Sequence, residues 1–369
     1  NTMTVSGGAT VYRDSIGVDG SNNNSPATDG VGNGLIVRDA NTTLTLSPST
    51  GANALVVGVL GASTGYETGS RENYVEVSNG AKLNILSSGN AVLLGNAQWA
   101  RSNRIEVKDA NSELNITGRL QIGDNAGLNS GGNLLHVRSG GTVKVTGQTI
   151  INGYAENGGL NDGANRIVVD QGATLHVGDT ITNRGLIRLA GTLEGRDAVG
   201  TPKAVTLNVE DKGRFEASGN GLAANVTTSV KSGGTFAVGT SPTATQLTLQ
   251  STVNMASGST LELSIFDGSH SSIEFAGGTL VLTGVVTLKL NVDNYTFTPG
   301  HSWSFFTNAN ITGAFDLSLI DPTRFNTDLF NEAGNWTIVA VPEPASSLFV
   351  AAGLAVAHYC FRRRRKESR

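Results

Sequence analysis

One phrase recurs through the first half of this chain and limits what it can fold into. It reads asparagine, any residue, an apolar residue, any residue, valine, then a Gly- or Asn-containing turn and another apolar residue. The copies are "NTMTVSGGATV" from Asn1, "NGLIVRDANTTL" from Asn33, "NYVEVSNGAKL" from Asn73, "NRIEVKDANSEL" from Asn103, "NLLHVRSGGTV" from Asn133 and "NRIVVDQGATL" from Asn165. Their starts lie 32, 40, 30, 30 and 32 residues apart. A unit this short cannot close a core alone, so the copies must bury their apolar faces against one another in a stack.

Within a copy the period is two. Ile105-Glu106-Val107-Lys108 alternates apolar and charged, the turn "DANSE" follows, and Leu114-Asn115-Ile116 and Leu120-Gln121-Ile122 repeat the alternation on either side of Gly118. That is the pattern of strands with one buried face. No segment of the repeat region carries a helical period. Three short strands per copy predict a right-handed parallel β-helix, all-β, each copy one coil pairing with the next about 4.8 Å away. Inward Val, Ile and Leu then stack in columns. The recurrent Asn33, Asn73, Asn103, Asn133 and Asn165 are expected to stack as a ladder of side-chain amides at a corner. Gly, Asn and Asp supply the positive φ that tight corners need.

The organisation expected along the chain is a 30-residue solenoid array over 1–195 and shorter, looser coils over 196–287. There "VEDKGRF", "VKSGGTF", "MASGSTL" and "FAGGTL" recur about every 20 residues. An aromatic-rich β cap follows over 288–340, holding Tyr295, Phe297, Trp303, Phe305, Phe306 and Phe315. A solenoid needs such a cap because its open end exposes strand edges and core. The remaining segment, 341–369, is a tail of different character. The chain opens inside a repeat with no basic and apolar leader ahead of it, so a start trimmed from a longer precursor is expected.

Composition removes several classes of function. A single cysteine, Cys360, allows neither an internal disulfide nor a thiolate zinc cage, and the five histidines are scattered without metal-ligand spacing. No metal and no cofactor is expected. The net charge is −4, but the tail from Arg362, six cations against Glu367, carries +5, which leaves −9 on the body. An acidic body has no electrostatic footprint for nucleic acid. A basic cluster beside an apolar run points to a membrane surface.

Two resemblances follow from particular residues. The succession "GSTLEL", "GGTLVLTGVVTLKLN", "FTPGHSWSFFTNANITGAF" and "GNWTIVAVPEP" looks like the terminal part of autotransporter-like, β-strand-repeat passenger proteins of bacteria, with Gly313-Ala314-Phe315 standing where those proteins carry G-x-F. No outer-membrane barrel, which needs at least about eight strands of ten residues, is expected after it. Val341-Pro342-Glu343-Pro344, then the 17 residues from Ala345 to Phe361, then Arg362-Arg363-Arg364-Arg365-Lys366, resembles the PEP-CTERM protein-sorting domain.

The physics of the tail agrees with that resemblance. The prolines hold an extended segment. Seventeen residues reach roughly 25 Å as a helix, the short limit of a single transmembrane span. The basic cluster stays in the cytoplasm and places the body across the membrane. The resemblance implies an inner-membrane precursor of a Gram-negative bacterium. An exosortase-type enzyme then cuts it near the Pro-Glu-Pro and passes the body to the cell surface or to extracellular polysaccharide. The alternative is a plain C-terminal anchor without processing.

One column of residues is a candidate for chemistry. Glu76, Glu106 and His136 occupy the same position in successive copies and are expected to project outward about 4.8 Å apart. Two carboxylates that close can share a proton or a cation, and retaining glycosidases hold theirs about 5–5.5 Å apart. Lys108 and Arg138, two positions on along the same face, are expected to compensate them instead. Tyr66, Trp99 and Tyr154 fall in the inter-strand loops, where rings can stack on sugars or pack over loop ends. The loop from Gly123 to Gly132 has no assigned role. The leading function is a structural or adhesive, non-enzymatic surface or matrix protein associated with polysaccharide. The alternative is a polysaccharide-degrading β-helix lyase or glycoside hydrolase.

Overall fold

The structure is a computed structural model that describes residues 1–18, 31–49, 53–58, 70–95, 100–123, 130–153, 163–217, 222–239, 245–266, 269–292, 298, 300–328, 330 and 336–341. Among them every regular element is a strand.

The strands form three walls of a parallel solenoid. The first wall runs Thr2–Val5, Gly34–Arg38, Tyr74–Ser78, Arg104–Lys108, Leu134–Arg138, Arg166–Val169, Leu186–Leu189, Arg214–Ala217, Thr235–Val238, Thr260–Phe266, Val286–Asn291 and Phe315–Asp316, each parallel to the next. The second wall starts at Thr10–Arg13 and Thr43–Leu46 and ends at Phe306–Thr307, while the third runs from Ile16–Val18 and Leu55–Val57 to Ile311–Thr312. In two coils one long strand, Lys82–Leu94 or Glu113–Ile122, turns the corner between these walls. Gly118 stands at that corner with φ 114.

Alternation becomes burial as expected. Leu35, Val75, Ile105, Leu135, Ile167, Ile187, Phe215, Phe236, Leu261 and Leu288 are in register along the first wall and face inward, each buried. Each side chain so buried contributes about 1.5–3 kcal/mol. Where the coils shorten, aromatic rings fill the column: Phe215 stacks on Phe236 with centroids 5.4 Å apart.

The corner before the first wall holds the amide ladder. The backbone N–H and side-chain Nδ2 of Asn33 both donate to Asn73 Oδ1, at 3.0 and 3.1 Å. Asn73 does the same to Asn103 (3.1 and 3.0 Å), Asn103 to Asn133 (3.2 and 3.0 Å) and Asn133 to Asn165 (3.2 and 2.8 Å). The remaining amide hydrogens are used as well: Asn73 Nδ2 donates to Ser70 Oγ and Asn103 Nδ2 to the Ser70 carbonyl. Asn73, Asn103 and Asn133 are fully buried, so a complete set of partners is what makes them tolerable there. The ladder stops at Asn165 because Gly185 follows it in the stack. A Cβ on Gly185 would lie 2.2 Å from the Asn165 carbonyl oxygen.

The turns between the first and second walls alternate between two chemistries. Asp39 and Asn41, and Asp109 and Asn111, take positive φ in the "DAN" turns. Their coils supply acceptors to the Gly-containing turns of the coils before them. Asp39 Oδ2 and Thr42 Oγ1 accept from the N–H groups of Gly7 and Gly8, and Asp109 Oδ2 and Ser112 Oγ accept from Asn79 and Gly80.

Val286–Asn291, which straddles position 288, pairs with strands on both sides in the first wall, so the solenoid register continues to Phe315–Asp316. Beyond it an antiparallel sheet of Ser302–Ser304, Thr337–Ala340 and Phe325–Asn326 carries Trp303 against Phe325. Phe306, Phe315, Phe330 and Trp336 pack mutually with centroids 5.4 to 6.2 Å apart. Val341 N–H donates to the Arg324 carbonyl at 2.9 Å. Pro342, Glu343 and Pro344, the expected span from Ala345 to Phe361, and Arg362 to Lys366 lie outside the described residues. Among the described residues no helix is long and apolar enough to cross a membrane.

Candidate functional site

The parallel register places Glu76 opposite Glu106 and Glu106 opposite His136 on the outer face of the first wall. The same column continues through Val168, Arg188, Glu216, Ala237, Glu262 and Lys289.

The three candidates share a column, but their bonds run diagonally away from one another. Lys108 Nζ lies 3.0 Å from Glu76 Oε2. Arg138 Nε donates to Glu106 Oε1. His136 Nε2 lies 2.8 Å from Asp170 Oδ2. Each group therefore meets its partner two residues further on in the following coil. Burial pushes the Glu76 carboxyl up, but bonds from Lys108 and Ser78 and the charges of Lys108 and Arg104 outweigh it and hold it below the usual carboxylate range. A general acid needs the opposite shift. What the geometry supports at Glu76 and Glu106 is a row of half-exposed ion pairs, each worth about 0–1 kcal/mol.

Further along the column is a network that sequence reasoning missed. Arg188 Nε donates to Glu216 Oε1 at 2.7 Å, and Arg214 Nε to Glu216 Oε2 at 3.3 Å. Arg214 then reaches over a whole coil, its two Nη atoms donating to both Glu262 oxygens at 2.9 and 3.0 Å. Asn291 Nδ2 donates to Glu262 Oε1, and Lys289 Nζ stands 3.5 Å from Oε2. The residue in the intervening coil is Ala237, fully buried, whose small side chain leaves room for the guanidinium. Burial disfavours the Glu262 charge, yet Arg214, Asn291 and Lys289 together hold its carboxyl below the usual range. Burial likewise works against the Arg214 charge, and Glu262 and Glu216 reverse it. The signal available in the sequence was an alanine between two outward glutamates, at unequal spacings.

Tyr66, Trp99 and Tyr154 lie outside the described residues, as does most of the loop from Gly123 to Gly132. An aromatic that the sequence did not single out, Tyr74, carries the Arg104 guanidinium carbon 5.4 Å from its ring centroid. Among the described residues no group of three or more His, Cys, Asp or Glu is placed to hold a metal ion.

No protein-family model matches the chain, and no curated protein matches it. Among solved structures it is similar to the TibC-catalysed hyper-glycosylated TibA55-350 fragment, at 14% identity and a TM-score of 0.20, covering 83% of this chain and 98% of that one. At that score the architecture rests on the strand register described above.

Proposed function

We propose that the chain is the body of an exported bacterial surface or matrix protein, tethered by its tail and trimmed by an exosortase-type enzyme. Its role is structural or adhesive, without catalysis, and its expected partner is extracellular polysaccharide. The single observation that carries the reading is the order of parts in the tail: Val341-Pro342-Glu343-Pro344, an apolar run from Ala345 to Phe361, then Arg362 to Lys366. In the proposed precursor a right-handed coil ends in its β-rich cap and is followed by one transmembrane helix. The basic residues stop that helix at the cytoplasmic side of the inner membrane.

Two features of the body support the reading. The outer carboxylates Glu76 and Glu106 are each bonded to a cation, which suits a surface lattice better than an acid–base pair. The hydrogen-bonded body reaches Val341, the first residue of the sorting motif. The test is deletion of Arg362 to Lys366 in the native host. The expected result is a protein that stays unprocessed or misoriented. Normal maturation without these residues contradicts the proposal.

A further inference from the structure

Between the second and third walls most coils turn in a few residues, as from Val145 to Thr149 and from Val177 to Ile181. Two connections are longer: the one from Leu46 to Leu55, and an insertion of Arg196 to Ala204 between Thr192–Gly195 and Val205–Val209. The insertion is ordered by its own side chains. Asp197 Oδ1 accepts the N–H groups of Val199 (3.0 Å) and Thr201 (2.8 Å), Arg196 pairs with Pro202 across an antiparallel bridge, and Lys203 Nζ donates to the Gly178 carbonyl of the preceding coil. It leans back over the second wall and roofs a cleft of about 270 Å³ whose floor is Lys144, Thr146 and His176. Val199 forms its lip, 86% exposed.

The polar groups of the cleft are unevenly satisfied. Lys144 Nζ is anchored by Glu113 Oε2 at 3.2 Å, and Arg196 Nε by Glu194 Oε2 at 2.7 Å. Asp197 has its carboxylate turned onto the loop backbone. His176 is different. The atom nearest its Nε2 among charged partners is Glu194 Oε2 at 3.6 Å, beyond hydrogen-bond reach, and its ring makes no hydrogen bond among the described residues. An imidazole whose side chain is only 22% exposed thus stands on the floor of a cavity, in register between Lys144 and Glu194, with no hydrogen bond among the described residues.

We propose that this cleft binds a small oxyanion, a carboxylate or a phosphate, on a ligand about the size of one sugar unit. Lys144 and Arg196, held in place by Glu113 and Glu194, direct their remaining N–H donors to the ligand, and His176 adds a hydrogen bond. Pockets that hold drug-sized ligands run to roughly 300–1,000 Å³, so this one takes a single small unit. The inference stands whether or not the chain is exported.

The test follows the ring Cε1–Hε1 signal of His176 by NMR, assigned from its loss in His176→Gln. The protein is titrated at constant ionic strength with D-glucuronate, inorganic phosphate and D-glucose. The expected result is a saturable shift with at least one of the two anions and none with glucose; which anion responds identifies the source of the oxyanion. In Arg196→Ala and in Lys144→Ala, each checked for an unchanged far-UV spectrum, binding weakens at least about tenfold, the loss of one charge-assisted hydrogen bond. Absence of a saturable shift with both anions overturns the proposal. So does an equal response to glucose, or undiminished binding in both variants.

Discussion

Asn103 Oδ1 accepts two hydrogen bonds from Asn73, one from its backbone N–H at 3.1 Å and one from its side-chain amide at 3.0 Å. Both residues are fully buried. Removing the acceptor strands two buried donors, each costing about 1–3 kcal/mol. Asn103→Ala is therefore expected to destabilise the body by about 2–5 kcal/mol in urea denaturation. Asn33→Ala, at the part-buried end of the ladder, removes no acceptor from another ladder asparagine and costs far less. Equal losses from the two variants would show that the ladder carries no special share of stability.

A second prediction compares Gly95, which closes a third-wall strand, with Gly172, in a turn between the first and second walls. Gly95 has φ +66, and a Cβ there would lie 2.3 Å from the Asn133 side chain. Gly172 has φ +79 and open space around it. Gly172→Ala is expected to cost about 1–2 kcal/mol, the left-handed backbone alone. Gly95→Ala adds steric displacement of a ladder amide and costs clearly more. Melting temperatures of the two variants compare them directly.

The buried network and the exposed ion pairs are expected to respond differently to loss of a cation. Arg214→Ala takes from Glu262, 6% exposed, its bidentate partner and from Glu216, 3% exposed, the more distant of its two arginines. A loss of about 3–5 kcal/mol is expected. Arg138→Ala removes a half-exposed partner of Glu106 and costs under about 1 kcal/mol. Ala237→Leu, which fills the space beneath the Arg214 guanidinium, is expected to destabilise although it adds apolar volume.

The pH dependence of stability follows from the directions of the shifts. Glu76, Glu113 and Glu262 are all held below the usual carboxylate value of 4.5 in the folded state. The unfolded chain therefore binds more protons as pH falls. Their stabilisation is complete above pH 4.5 and is lost as pH falls through the folded values. His176 adds an earlier step. Burial, then the charges of Arg196 and Lys144 against those of Glu194 and Glu113, hold its imidazole below 6.5. Stability thus begins to decline below pH 6.5, and His176→Gln is expected to remove that first decline while leaving the acid limb in place. Thermal melts from pH 8 to pH 3 read both limbs.

For catalysis the expected result is negative. Incubated with acidic and neutral polysaccharides, the body is expected to release neither reducing ends nor unsaturated products. Turnover that disappears in Glu106→Gln would restore the enzymatic alternative.

How far the sequence could be read depended on which residues repeat. The regular asparagine positions and the two-residue alternation around Ile105 and Val107 were enough for a parallel solenoid, the amide ladder and the shared column of Glu76, Glu106 and His136. All of these need only a constant period. The bridge from Arg214 to Glu262 was not legible, because it spans two coils of unequal length and depends on the smallness of Ala237 between them. Nor was the fit of Gly95 against Asn133, which brings the end of one coil against the start of the coil two further on. The cleft under Arg196 to Gly200 depends on an insertion that the repeat pattern does not announce.

The central claim, export followed by trimming of the tail, is tested most directly by mass spectrometry of the protein recovered from the surface and extracellular fractions of its host. The account predicts a C-terminus within or before the apolar run from Ala345 to Phe361, with no peptide containing Arg362 to Lys366. Surface protein whose peptides read through those basic residues would contradict it.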